Sequence, residues 1–430
     1  MHYRQVFAQS LAALFFLASL PTLAQEIVLE QGQNEVEKRR IALPFVFSTE
    51  TLGTTFGIGA GMRGYIQPQQ STFGALFGSS KEAYGGVLAG NDYRIPYTER
   101  LFLRPRMVLG HFPEIRAYTG VNPGFNDEFA GTNDSDKDNY QDEEGSDTYV
   151  ELQFRYHLPM GVGRDNPLPT YVVAEGIRVD GPPEGAWNPV RSGRTHLLIE
   201  PFYRRQNFEL DDGDEEVATN GVRVGIEYDN RDFPRNPTRG SRQMFKVSRD
   251  FGWFDSANSY TFLEAETSFY YPLGEGWGAN QRVLAFDAWT AYSPSWDEDT
   301  VDGERRISNR PPYFTGARLG GFQRLRGYPN NRFNDKAAIY YSIEYRHMLR
   351  WNPVKRYDWL SFIPLDQLQL VGFGELGRVA DEWSLSELHS DMKGDVGIGL
   401  RAMLNKGIIR LDAAWSEENF QIWGMASHPF

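Results

Sequence analysis

The chain has 430 residues, no cysteine and a formal net charge of −13. The missing cysteines exclude disulfides, thiolate catalysis and Cys-ligated metal. The acidic balance, with no Lys/Arg-rich run, excludes a nucleic-acid partner held by phosphate neutralisation. Only 40% of residues are hydrophobic, yet 22 Tyr, 29 Phe, 10 Trp and 43 Gly suit an all-β chain. A transmembrane barrel hides from such averages, because its lipid-facing and lumen-facing residues alternate.

Residues 1–24 read as a secretory signal peptide. Arg4 is the positive start, Leu11 to Ala18 the apolar stretch, and Thr22-Leu23-Ala24 the small residues before a cleavage point. The apolar stretch is shorter than the ~20 residues a helical span needs. Residues 25–40 form a short, charged N-terminal segment, expected to be periplasmic, and residues 41–430 are left for one domain. No other run reaches helical transmembrane length, so membrane residence requires a closed barrel, in which every backbone polar group is paired.

Strand candidates follow at Ile41–Thr49 and Thr54–Ile66. The second contains Gly59-Ala60-Gly61-Met62-Arg63-Gly64, a literal G-x-G-x-x-G. No helix follows it, so the dinucleotide reading fails and small wall glycines remain. The next candidates are Phe73–Gly90 (one strand or two), Arg100–His111, Thr148–Leu158, Thr170–Val179, Arg194–Arg204, Val217–Asp229, Arg242–Phe251, Tyr260–Tyr271 and Gln281–Trp289. After a long connection come Lys336–Arg350, Gln367–Leu376, Gly394–Leu404, Gly407–Trp415 and Asn419–His428. That makes about sixteen strands. In the clearest, Val222, Val224, Ile226 and Tyr228 share one face, and Arg223, Gly225, Glu227 and Asp229 the other. A soluble sandwich and a membrane barrel both alternate in this way. The leader, the strand number and a last strand whose parity runs from Phe420 to Phe430 favour the barrel, in the bacterial outer membrane. Long barrel loops lie outside. The acidic loops 122–147 and 211–216 share that side only if Phe73 to His111 holds one further strand.

The connection from Ala291 to Asp335 is too long for an ordinary loop. It carries Gly320-Gly321-Phe322-Gln323-Arg324-Leu325-Arg326-Gly327-Tyr328-Pro329, an Arg-Gly-Tyr tip braced by glycines. Such a tip suits a loop folded into the lumen ahead of the twelfth strand. Arg326 there would need a carboxylate partner, and Glu344 and Glu375 on the two following strands are the candidates. An exposed Arg326 on a solvated loop is the other reading. Elsewhere, Asp134-x-Asp136-x-Asp138 starts like a calcium loop, but Asn139 replaces the turn glycine and Gly145 the closing glutamate. His157, His196 and His347 stand apart, and no G-x-S-x-G is present. No metal, cofactor or catalytic residue is expected, and the chain does not read as an enzyme.

The C-terminal half resembles the bacterial surface antigen family, the barrel shared by BamA, TamA and two-partner secretion transporters. Gly320-Gly321 with Leu325-Arg326-Gly327-Tyr328 is similar to the family's loop-tip motif. Phe373-Gly374-Glu375-Leu376-Gly377-Arg378-Val379 is similar to its wall motif, with Glu375 where an Asp is usual. Asp229, Arg231 and Asp232, with Pro237 and Gly240, resemble its mid-barrel turn, and Gly397 to Arg401 and Ile409 to Asp412 its last strands. The likeness is good from Val217 to Phe430 and loose before it. It implies a 16-strand barrel with a seam between first and last strands, an inward loop whose Arg326 meets Glu375 or Glu344, and Phe430 as a C-terminal barrel signal. The few residues before Ile41 leave no room for the family's usual POTRA domains and place the resemblance with its barrel-only branch. Implied partners are outer-membrane lipid, and a client polypeptide or separate periplasmic protein. Two functions stand open: assisting insertion or translocation of proteins, or a passive pore or lipid- and envelope-maintenance barrel.

Overall fold

The computed structural model describes residues 26–49, 53–125, 128–209, 215–301, 304–357, 365–404, 407–426 and 428–430. The leader and residues 211–214 of the second acidic loop lie outside them. Among the described residues, sixteen wall strands follow one another. They are β1 (Arg39–Thr49), β2 (Gly53–Arg63), β3 (Ser71–Ser79), β4 (Tyr84–Asn91, resumed at Tyr93–Arg94), β5 (Leu101–Ala117), β6 (Gln141–His157), β7 (Arg194–Phe208) and β8 (Glu215–Asp229). The second half comprises β9 (Gly240–Phe251), β10 (Ser259–Pro272), β11 (Ala279–Tyr292), β12 (Ala337–Leu349), β13 (Leu365–Ala380), β14 (Lys393–Leu404), β15 (Gly407–Ser416) and β16 (Phe420–Ala426). Each pairs antiparallel with the next, and the sheet wraps into a barrel.

Polarity is inverted relative to a soluble protein, which decides between the two readings of the alternation. On β8, Val224 and Ile226 are 49% and 45% exposed, while Glu227 and Asp229 are 3% and 4% exposed. The same holds on β14, where Val396, Ile398 and Leu400 face outward and Asp395 and Arg401 are buried. An apolar exterior around a charged interior is stable only against lipid. Exposed Tyr97, Trp253, Phe254, Trp277 and Trp351 sit in turns at the strand ends or beside them, where aromatic rings anchor at the membrane interface.

One open alternative in the wall is resolved and one expectation is corrected, and the two offset each other in the strand count. Phe73–Gly90 is two strands, because the chain reverses at 80–83 with Glu82 at φ +67°. That turn uses a left-handed glutamate where glycine or asparagine is usual. Thr170–Val179 is not in the wall. Glu175 and Gly176, at φ +52° and +79°, make a tight hairpin between Thr170–Ala174 and Ile177–Asp180. With these changes the 118–140 connection falls at the same end as the long loop before β12. It is also shorter than expected: Asp142, Glu143, Glu144 and Asp147 belong to β6, paired to β5 and β7. Tertiary pairing there overrides the weak strand preference of acidic residues.

The N-terminal segment is ordered in part. Ile27–Glu30 pairs in parallel with Thr170–Ala174, completing a three-stranded sheet at the end of the barrel opposite the long loop. Val28 packs against Tyr171, Val173 and Phe233, and the buried Glu26 carboxylate pairs with Arg235 in the β8–β9 turn. At the other terminus, β16 ends at Ala426, not at Phe430. Pro429 has no N–H for a ladder, and Phe430 turns inward onto Tyr270, Val283 and Ala285. Val28→Asp places a carboxylate in an apolar contact and is expected to undock the small sheet. Hydrogen exchange at residues 27–31 and 170–180 should then rise while the wall amides stay protected.

Candidate functional site: an arginine clamp inside the barrel

The connection between β11 and β12 builds its own scaffold. Asp297–Val301 pairs with Glu304–Ser308, and Ala317–Leu319 pairs with Phe333–Asp335. The tip lies between the members of the second pair. Gly320 and Gly321 hold φ of +98° and +104°, and a Cβ on them would meet Pro329 O at 2.3 Å and Asn330 Oδ1 at 2.0 Å. Glycine is therefore required at both positions. Their N–H groups donate to Arg324 O and Tyr328 O, each at 3.0 Å, which closes the tip. Leu325 and Tyr328 are fully buried, in one apolar cluster with Leu319, Phe333, Trp289 and Tyr340. This cluster draws the loop to the wall and aims Arg326 at β12–β15.

Arg326 is 0% exposed. Its Nε donates to Glu375 Oε1 at 3.0 Å on β13, and its backbone N–H to Glu375 Oε2 at 2.6 Å. Nη1 donates to Asp412 Oδ2 at 2.7 Å on β15. Nη2 lies 3.0 Å from Glu344 Oε1 on β12, without hydrogen-bond alignment. The guanidinium stacks on Phe373 at 3.5 Å from the ring centroid. Tyr340 Oη steadies Glu375 Oε1 at 2.5 Å. The backbone is seized as well. Gly327 N–H donates to Asp395 Oδ2 at 2.7 Å, Ser416 Oγ donates to Gly327 O at 2.8 Å, and Trp423 Nε1 on β16 donates to Arg326 O at 2.6 Å. The tip thus touches each of the last five wall strands.

Charge in this cluster is matched. Arg326, Arg346, Arg401 and Arg410 face Glu344, Glu375, Asp395 and Asp412. Both carboxylate oxygens of Glu344 accept from Arg401 Nη2 at 2.8 Å, and Oε2 also accepts from Arg346 Nε at 2.9 Å. Arg410 donates to Asp412 Oδ2 at 2.8 Å and to the loop carbonyl of Phe322 at 2.7 Å. Beside the clamp lies a cavity of about 480 Å³, whose walls include Arg318, Arg324, Glu266, Tyr149, Arg410 and Phe430. The arrangement holds a loop in the lumen by ionic pairing.

Of the residues singled out in the sequence, Gly320, Gly321, Leu325, Arg326, Gly327, Tyr328, Glu344 and Glu375 converge here. Asp395, Asp412 and Trp423 were not foreseen as partners. Asp412 and Asp395 share the inward parity of Arg410 and Gly397 on their strands, which is the signal that was present. Asp229, Arg231, Asp232, Pro237 and Gly240 lie far from the clamp, in the β8–β9 turn. There Asp229 pairs with Arg231 at 2.8 Å, Asp232 accepts from Thr238 N at 2.9 Å, and Gly240 has φ +96°. His157 and His196, taken as isolated, are cross-strand neighbours with ring centroids 4.3 Å apart. Among the described residues, the ligand-type side chains that converge at the long-loop end are His111, Glu144 and Glu209, not Asp134 to Asp138.

An inside-out sixteen-strand wall with an arginine-clamped lumen loop defines an outer-membrane β-barrel. The Omp85 superfamily domain matches residues 92–422, and the chain belongs to that family. The match begins well before the Val217 boundary of the sequence resemblance. Similar solved structures include CdiB from Escherichia coli, at 11% identity and TM-score 0.52, covering 90% of this chain and 62% of that one. CdiB from Acinetobacter baumannii is 10% identical, with TM-score 0.49 and coverage of 90% and 58%. BamA from Haemophilus ducreyi lacking POTRA domains 1-3 is 12% identical, with TM-score 0.48 and coverage of 90% and 69%. No curated protein matches the chain significantly.

Truncating one partner of a buried, multiply bonded ion pair costs about 3–5 kcal/mol. Arg326→Ala is therefore expected to lower the thermal unfolding midpoint and raise conductance in planar bilayers, as the tip leaves the wall. Arg326→Lys should behave nearly as badly, because an ammonium cannot reach three carboxylates in one plane.

Proposed function

We propose that this barrel assists the insertion or translocation of proteins at the outer membrane. The observation that carries the reading is the clamp itself. A loop tip that contacts Glu344, Glu375, Asp395, Asp412 and Trp423 braces, from inside, the run of strands that ends at β16. Among the described residues, β16 is held to β15 by seven residue pairs. Releasing the tip removes the brace from this short-paired end of the wall, where first and last strands would part and disturb the bilayer. Membership of the Omp85 superfamily supports this reading, and a separate periplasmic protein is the partner that would deliver a client. Glu344, Glu375 and Arg326 are then residues that set how readily the wall opens, and Phe430 lies close to the same network.

One observation favours a second reading. The charged cavity beside the loop suits a passive pore or lipid-handling barrel with no client. The two separate in lipid vesicles. The protein, Arg326→Ala, an unrelated barrel and protein-free vesicles are each offered an unfolded client barrel. Client folding should be at least several-fold faster with this protein than with the unrelated barrel, and the rate should change in Arg326→Ala. Equal rates in all vesicles would remove the insertion reading and leave the pore.

A further inference from the structure

At the long-loop end, three neighbouring strands bring ligand-type side chains to one spot on the outer surface. His111 stands on β5, Glu144 on β6, and Glu209 directly after β7. Their ligating atoms lie within 4.8 Å of one another. All three share the lipid-facing parity of their strands, with exposed Leu109 on β5, Leu152 on β6 and Ile199 on β7. Beyond that apolar belt the outward positions turn polar, and Ser146 and Asn207 stand at the height of His111. The cluster therefore lies past the hydrocarbon, in the headgroup layer, where charge costs little.

Two features ask for a cation here. β6 and β7 pair Gly145 with Phe208, and Glu209 N–H donates to Glu144 O at 2.9 Å, so the two glutamates stand opposite each other. Like charges directly opposite one another destabilise a sheet. Among the described residues, neither carboxylate has a Lys or Arg partner, and Glu144 Oε1 meets only His111 Nε2, at 3.0 Å. The second feature is orientation. Tyr84 on β4, the cross-strand partner of His111, stacks on the imidazole with ring centroids 5.1 Å apart and planes at 26°. The ring is thus held with Nε2 towards the carboxylates. The ligands lie on three strands, so no local motif marks them in the sequence.

We propose that His111, Glu144 and Glu209 form a site for a divalent transition cation such as zinc. One imidazole nitrogen and two carboxylates suit zinc, whereas calcium asks for six to eight oxygens. Bonds of about 2.0–2.2 Å set the donors about 3–4 Å apart. The exposed Glu144 and Glu209 side chains reach that spacing by rotation. Three protein ligands leave one position for water from the headgroup layer. The bound ion ties β5, β6 and β7 together at the root of the 118–140 connection. That connection in turn holds the long loop, through Asn334 and Arg332. The site goes beyond the insertion reading and does not depend on it.

Isothermal titration calorimetry tests the site with zinc chloride, on the refolded barrel carrying no affinity tag and stripped by a chelator. One zinc ion per barrel is expected, and calcium should bind at least ten-fold more weakly. Losing a group that merely supports a ligand costs about 10–100-fold in metal affinity. His111→Ala and Glu144→Gln should therefore each weaken zinc binding at least ten-fold, and Asp136→Asn in the 118–140 connection should leave it unchanged. Zinc should also slow hydrogen exchange at residues 109–117 and 141–146 in the wild type, and not in His111→Ala. Should a ligand variant fail to refold, Glu209→Gln takes its place. No zinc binding, binding that either ligand variant retains in full, calcium as tight as zinc, or exchange that zinc leaves unchanged would each overturn the proposal.

Discussion

A guanidinium withdrawn from water must find carboxylates, and the position of Arg326 follows from that requirement. An unpaired buried charge costs several kcal/mol. The loop can therefore rest inside the barrel only at a height and angle where Glu375, Asp412 and Glu344 are all within reach. Four arginines stand against four carboxylates; Glu344, Glu375 and Asp412 pair with arginines, and Asp395 takes the Gly327 N–H instead. The glycines at 320 and 321 and the apolar seating of Leu325 and Tyr328 bring the side chain to that place. They do not explain why the loop stays there; the ionic contacts do.

The loop is fastened at its outer side as well. Arg332, fully buried, forks onto Glu418 in the β15–β16 turn with two contacts of 2.8 Å and donates to Ser135 Oγ at 2.9 Å in the 118–140 connection. Asn334 bonds Gly131 O and Tyr118 O in the same connection. At the mouth, loops are thus tied to one another, and in the lumen a loop is tied to the wall. Each set includes ties to β15–β16 or their turn. Movement of the last hairpin must therefore break contacts at two levels, which makes the hairpin a natural place for control.

Much of this was legible in the sequence, for physical reasons that can be named. β8, β12 and β14 showed their strands because both faces are chemically uniform. The tip was visible because Arg-Gly-Tyr behind two glycines is hard to place on an open loop. The inside-out polarity was not readable from the alternation itself, which carries no label for lipid or water; it rested on the leader, the strand number and the parity of the last strand. The break within 73–90 stayed an open alternative because its turn uses Glu82 in place of glycine, and the 170–180 hairpin looked like wall because it too alternates. Asp412 was missed for a different reason. It lies 86 residues from Arg326 in the chain, and only barrel curvature brings β15 around to it. Phe430 was read as the end of a strand because its parity fits, whereas Pro429 takes it out of the ladder.

The central claim is that Arg326 and Glu375 hold the loop as a pair. A double-mutant cycle on urea unfolding in detergent tests it most directly, with Arg326→Ala, Glu375→Ala and both together. Residues that share a buried contact are expected to show a coupling energy of about 0.5–3 kcal/mol. The account predicts a value at the upper end, with the double variant barely less stable than either single one. Additive losses, within about 0.5 kcal/mol, would contradict it and place the stability of the loop in its apolar seating alone.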